Sequence, residues 1–144
     1  MTDTFPVTWF TEGTPRPQGS KTLTRGRLVE QSKYVHAWRS KIKLEAIHAC
    51  RSEPSASQMN VRLKFYFKCP KSHYTTNGQL SSTRSEWHTQ KPDIDKLIRA
   101  VLDALTGVLW VDDSQVVGVV ATKHWHKEKE GVLIDVDEAE TVTW

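Results

Sequence analysis

Read for apolar and polar positions, the chain separates into segments of two different periods. Asn60 to Cys69 alternates Val61, Leu63, Phe65 and Phe67 with Arg62, Lys64, Tyr66 and Lys68, which predicts a strand with one buried face and a cationic outer face. From about Lys33 to Cys50 the residues Tyr34, Val35, Trp38, Ile42, Ala46, Ile47 and Cys50 recur at helical spacing, with Arg39, Lys41 and Lys43 between them, so a helix with a basic outer side is expected. A second helix is predicted over 96–106. Counted at about 100° per residue from Asp95, Leu97, Ile98, Val101, Leu102 and Leu105 share one side, while Asp95, Lys96, Arg99 and Asp103 form a charged stripe on the other. Phe5 to Thr11 reads as a first strand and "VLWV" (Val108 to Val111) as a short one. "QVVGVVATKHWH" and "VLIDV" read as a hairpin across "KEKEG".

Two aperiodic stretches interrupt these elements. One is a basic loop over 12–32, punctuated by Gly13, Pro15, Pro17, Gly19 and Gly26; the other is a polar loop over 70–90. The order β-α-β-loop-α-β-β-β predicts an α+β fold of two layers, with helices packed on a mixed or antiparallel sheet. At 144 residues a single domain over 1–144 is expected. No apolar run approaches the roughly 18 residues of a membrane span, and the N-terminus lacks the features of a secretory signal, so the expected location is the cytoplasm, without membrane contact.

Charge adds a partner to this picture. The net charge of +3 conceals an acidic end, where Glu128, Glu130, Asp135, Asp137, Glu138 and Glu140 face only Lys129. The residues before position 128 hold 19 basic and 11 acidic side chains. Within 14–43, Arg16, Lys21, Arg25, Arg27, Lys33, Arg39, Lys41 and Lys43 are opposed by Glu30 alone. A nucleic acid is the natural partner of such a surface, although a solvated basic face explains it equally well until chemistry is found elsewhere. The two cysteines, Cys50 and Cys69, show no metal-binding spacing and read as free thiols.

That chemistry is carried by "KPDIDKLIRAVLDALTGVLWVDD", Lys91 to Asp113. Pro92 favours an extended entry, which would point Asp93 and Asp95 the same way and leave Asp95 as the helix N-cap. Eleven helical residues climb about 16 Å, and five or six strand residues from Val108 would descend about 17–20 Å, returning Asp112 and Asp113 to the level of the first pair. Carboxylates gathered in this way repel unless a cation neutralises them, and all-oxygen ligands suit Mg²⁺ or Mn²⁺. Each residue also has a plainer reading: Asp95 as a cap, Asp113 as part of a turn, and Arg99 with Asp103 as a surface pair.

Asp-x-Asp, a helix ending in Asp103-Ala104-Leu105, and Asp112-Asp113-Ser114-Gln115-Val116 together resemble the RusA-type Holliday-junction resolvases, and weaker likeness extends over "GTPRPQGSK" and "SKYVHAWR". The resemblance implies a small homodimeric, Mg²⁺-dependent endonuclease of bacteria or phages that acts on branched DNA. It implies that Asp93, Asp95 and Asp113 bind the metal with help from Asp112. Two positions depart from the family pattern: Lys96 stands where asparagine is usual, and Arg99 stands where a functional lysine is usual. Arginine keeps the charge but cannot give up a proton, so it can stabilise a transition state and cannot relay protons. Lys96 lies on the same side and is the second candidate cation.

The expected reaction is hydrolysis of the DNA backbone by metal-activated water, with paired symmetric cuts resolving a four-way junction in recombination, repair or phage DNA processing. Arg16, Gln18, Ser20, Lys21, Arg25, Arg27, Lys33, Arg39, Lys43 and Lys91 are the expected DNA contacts. Two other readings share the fold: a junction-binding protein with weakened chemistry, and a nuclease for flaps or other branched DNA. His88, beside the aspartates, could contact DNA, but it reads more simply as a solvated loop histidine. The six tryptophans suit either a dimer interface or the core.

Overall fold

The computed structural model of the chain describes residues 4–19, 21–24, 27–30 and 34–140, the two short segments by their backbone alone. Its elements run β1 (Val7–Glu12), β2 (Lys21–Thr24), β3 (Arg27–Glu30), α1 (Val35–Ala49), β4 (Met59–Lys68), α2 (Ile94–Leu105), β5 (Val116–His126) and β6 (Gly131–Glu138). Single 3₁₀ turns occupy Lys71–His73 and Asp113–Gln115. Four strands form a mixed sheet in the order β1-β6-β4-β5, and β2 pairs with β3 as a separate hairpin. The α+β arrangement predicted from the pattern is present.

The alternation of β4 explains its place inside the sheet. Val61, Leu63, Phe65 and Phe67 are buried, and three of them stand opposite apolar residues of β6, as Val61 to Val136, Leu63 to Ile134 and Phe65 to Val132. Trp38, Ile42 and Ala46 of α1, with Leu97, Ala100, Val101, Ala104 and Leu105 of α2, complete the same core cluster. Cys50 and Cys69 are free and buried. Among the described residues, no helix is long and apolar enough to cross a membrane.

Four local expectations need correction. First, β5 and β6 are not a hairpin. Both pair with β4, β5 in parallel and β6 antiparallel; a parallel pair requires a long crossover, which the stretch containing α2 supplies. Second, "VLWV" is a turn. The amides of Val108 and Leu109 both donate to the Leu105 carbonyl, and that of Gly107, at φ +87°, donates to the Trp110 carbonyl. Third, the basic loop over 12–32 contains the β2–β3 hairpin. Fourth, Asp93 rather than Asp95 is the N-cap of α2, because the first helical bond runs from the Leu97 amide to the Asp93 carbonyl at 3.2 Å.

Candidate active site

Asp93 and Asp95 lie one on either side of Ile94 at the start of α2 and line one cleft of about 700 Å³ together with Lys91, Lys123 and the segment 87–90. Lys91 Nζ donates to Asp93 Oδ1 at 2.8 Å, and Lys96 Nζ stands 4.0 Å from Asp93 Oδ2. The Lys91 bond, reinforced by the charges of Lys91, Lys96 and Lys123, holds the Asp93 carboxyl below the usual aspartate range. Lys123 of β5 donates to the carbonyls of Gln90 and Pro92, each at 2.7 Å, and so fixes the backbone that leads into the helix. Burial lowers its pKa while Asp93 opposes that shift.

Asp112 and Asp113 are placed by the turn after α2. The Asp112 side chain accepts from the Ser114 amide at 3.0 Å and caps the 3₁₀ turn, which depresses its carboxyl. Asp113 shifts the other way, raised by its bond with Asp112, by desolvation and by the charges of Asp112 and Asp103. Gln115 holds this arrangement in place. Its Oε1 accepts from the amides of Val111 and Asp112 at 2.9 and 2.8 Å, and its Nε2 donates to the carbonyls of Ser55 and Ser57 at 2.8 Å each. Gln115→Ala is expected to cost about 2–3 kcal/mol in urea unfolding and to lower any Asp112/Asp113-dependent activity; a loss below about 0.5 kcal/mol would show that water replaces these bonds.

The four aspartates therefore stand as two pairs near opposite ends of α2. Asp113 senses Asp103, in the last turn of the helix, whereas Asp93 senses the lysines at its start. Among the described residues no group of three or more Asp, Glu, His or Cys is gathered closely enough to hold a metal. The reason lies in the turn: a strand from Val108 would have returned along the helix, but the compact 106–111 segment ends near where the helix does. The donor set still suits a hard divalent cation, since all four are carboxylates and Mg²⁺ is commonly held by one or two carboxylates while keeping several waters.

The charged stripe of α2 is partly covered. The Gln18 amide donates to the Lys96 carbonyl at 3.0 Å, and the Gln18 side chain donates to Asp103 and accepts from Arg39 of α1, bracing the two helices. Gly19, at φ +121°, lies so close over Arg99 that a Cβ there would overlap the guanidinium. Arg16 lies 4.7 Å from the Tyr34 ring centroid, and Lys43 is exposed. Of the remaining expected DNA contacts, Ser20, Arg25 and Lys33 lie outside the described residues, as do the side chains of Lys21 and Arg27.

Sequence reasoning reads Lys123 only as part of a strand and Gln115 only as part of a motif, because Lys123 and the Nε2 of Gln115 bond to carbonyls more than thirty residues away. It also misplaced His88, which is 5% exposed and stacks on Phe67 with centroids 4.0 Å apart. Burial, then the Lys123 charge, lowers the His88 pKa. The folded state therefore takes up fewer protons than the unfolded state as pH drops below about 6.5, and stability should fall there. Melting curves at about pH 7.5 and 5.5 are expected to show this loss, and His88→Phe should diminish it; an equal loss in the variant would assign it to other groups.

The fold and site together define a class: a small α+β domain with a carboxylate pair at a helix start, beside lysines, in a chain whose N-terminal sequence is basic. Residues 11–137 match the family model for Endodeoxyribonuclease RusA, and the chain belongs to that family. No curated protein matches it closely enough to be counted as similar. Membership implies an endonuclease that resolves Holliday junctions, and nucleases of this kind generally use a divalent metal.

Proposed function

We propose that this protein is an Mg²⁺-dependent, structure-selective endonuclease that resolves four-way DNA junctions by paired, symmetric phosphodiester hydrolysis, with Mn²⁺ able to replace Mg²⁺. The observation that carries this reading is the cleft in which Asp93 and Asp95 stand beside Lys91, Lys96 and Lys123, in a chain whose family cuts DNA. Asp93 and Asp95 would hold the cation, with Asp113 and Asp112 as the second carboxylate pair. A cation held there would supply Lewis acidity to a water for in-line attack and to the departing 3′ oxygen.

The chain's own cations then have distinct work. Lys91 offsets the charge of Asp93 and, with its side chain 83% exposed, can turn to a backbone phosphate. Lys96 and Arg99 lie along the side of α2 that begins at the carboxylates and would neutralise the charge gathering on the phosphorus centre. Lys43 and Arg16 would contact phosphates farther along the DNA. Arg39 and Gln18 serve by bracing α1 against α2, which keeps the helix start in position.

A homodimer belongs to the same reading. Two matched cuts fit a C2 pair, and because one chain keeps its carboxylate pairs apart, a shared cation would require a second copy. The edge strand β5 exposes Val117, Val119 and Val120, a surface that sheet proteins usually cover. The test is to incubate the protein with a mobile synthetic four-way junction and the matching linear duplex, in Mg²⁺ or in EDTA, and to measure its mass by sedimentation. Paired nicks confined to the junction, dependent on metal and made by a species of twice the chain mass, are expected. Tight junction binding without any cut in Mg²⁺ or Mn²⁺ would overturn the assignment and leave a binding protein.

A further inference from the structure

We propose that Trp87 is a stacking platform for an unpaired nucleobase of the substrate, set beside the phosphate that Asp93 and Asp95 face; this rests on the junction-cutting function proposed above. Trp87 interrupts an otherwise polar stretch, and it is 56% exposed where Trp38 and Trp110 are 5% and 0%. Its position is nevertheless fixed. The Trp125 amide donates to the Glu86 carbonyl at 2.8 Å and the His88 amide to the Lys123 carbonyl at 3.1 Å, so residues 86–88 lie along the edge of β5 like a short added strand. Neighbouring side chains then point to opposite sides. His88 is locked inward between Phe67 and Trp125, at 4.0 and 4.3 Å, which turns Trp87 outward.

The outward side is built for a ring. Tyr66 stacks on His124 at 5.4 Å, and His124 meets Trp87 at 5.0 Å and 34°. The series of rings therefore ends at an exposed indole, and Trp87 lines the cleft that also holds Asp93 and Asp95. One more planar ring would continue the series, and Lys91, exposed on the same cleft, could meet the phosphate attached to it. Stacking on an aromatic side chain tolerates any base, because every base offers a π face. An intact duplex presents no such face away from its ends, whereas a strand opened at a branch point does. Trp87 would therefore add structure selectivity without sequence preference.

The test compares wild type, Trp87→Ala and Trp87→Phe, each also carrying Asp95→Asn so that bound DNA stays uncut. The probes are a junction with 2-aminopurine at the cut position, the matching duplex, and oligothymidylate as a source of unpaired bases alone. Trp87→Ala is expected to lose about tenfold to a hundredfold in affinity for the junction and for oligothymidylate, with duplex affinity unchanged and Trp87→Phe retaining most of the binding. The 2-aminopurine signal should respond to wild type and not to Trp87→Ala. Equal losses on duplex and junction, or a changed sedimentation mass in Trp87→Ala, would overturn the inference and make Trp87 a general or subunit contact. If Asp95-intact Trp87→Ala cuts junctions like wild type, stacking fails while the nuclease reading stands. If wild type ignores junctions but Trp87-dependent oligothymidylate binding persists, the nuclease reading fails while stacking stands.

Discussion

Asp95→Asn is expected to lower junction cleavage by about 10³-fold or more while leaving junction affinity unchanged or slightly higher. Asparagine has nearly the same shape and the position is exposed, so the fold should tolerate the change within about 0.5 kcal/mol. What is lost is one negative charge in the cleft and a ligand oxygen able to hold a hard cation. Affinity should not suffer, because a carboxylate facing a phosphate repels it. Asp93→Asn makes a useful comparison, since Asp93 also accepts from Lys91 and stands 4.0 Å from Lys96. Its loss should free those ammonium groups for phosphate and tighten binding further. Single-turnover cleavage and gel shifts in Mg²⁺ and in EDTA separate the two effects. Turnover by Asp95→Asn at the wild-type rate would remove this residue from the site.

The helix carrying that residue is the most legible part of the sequence. Its apolar side is continuous over three turns, and Leu97, Val101 and Leu105 are fully buried as the spacing requires. The strand β4 is equally plain, since strict alternation over several residues puts every second side chain on one buried face and fits no helix. Legibility fails where a run is too short to carry a period or where pairing is not local. "VLWV" is four apolar residues, and buried turn and buried strand look alike at that length. The partners of β5 and β6 cannot be read from either segment, because β4, which separates them in the sheet, ends at Lys68, far before β5 begins at Val116. For the site, the aspartates are legible by type and spacing, while their expected grouping depends on a strand that the fold replaces with a turn.

That turn is also where fold and chemistry meet, and Trp110→Ala should show it. Trp110 is fully buried, and its indole Nε1 donates to the Thr106 hydroxyl at 2.9 Å. Around it, the Ser55 amide donates to the Leu109 carbonyl at 2.9 Å and the Val111 amide to the Ser55 carbonyl at 3.3 Å, so the turn is latched to the chain leading into β4. Truncation to alanine leaves a large cavity and should cost about 3–5 kcal/mol, a fall in melting temperature of about 10–20 °C for a chain of this size. Trp110→Phe fills most of the space, loses the indole bond and should cost markedly less. Asp112 and Asp113 follow the latch by two and three residues, so activity should fall more than the unfolded fraction accounts for, even well below the melting point. If Trp110→Ala melts early yet cuts junctions at the wild-type rate at low temperature, the turn serves stability alone, and the second carboxylate pair does not depend on it.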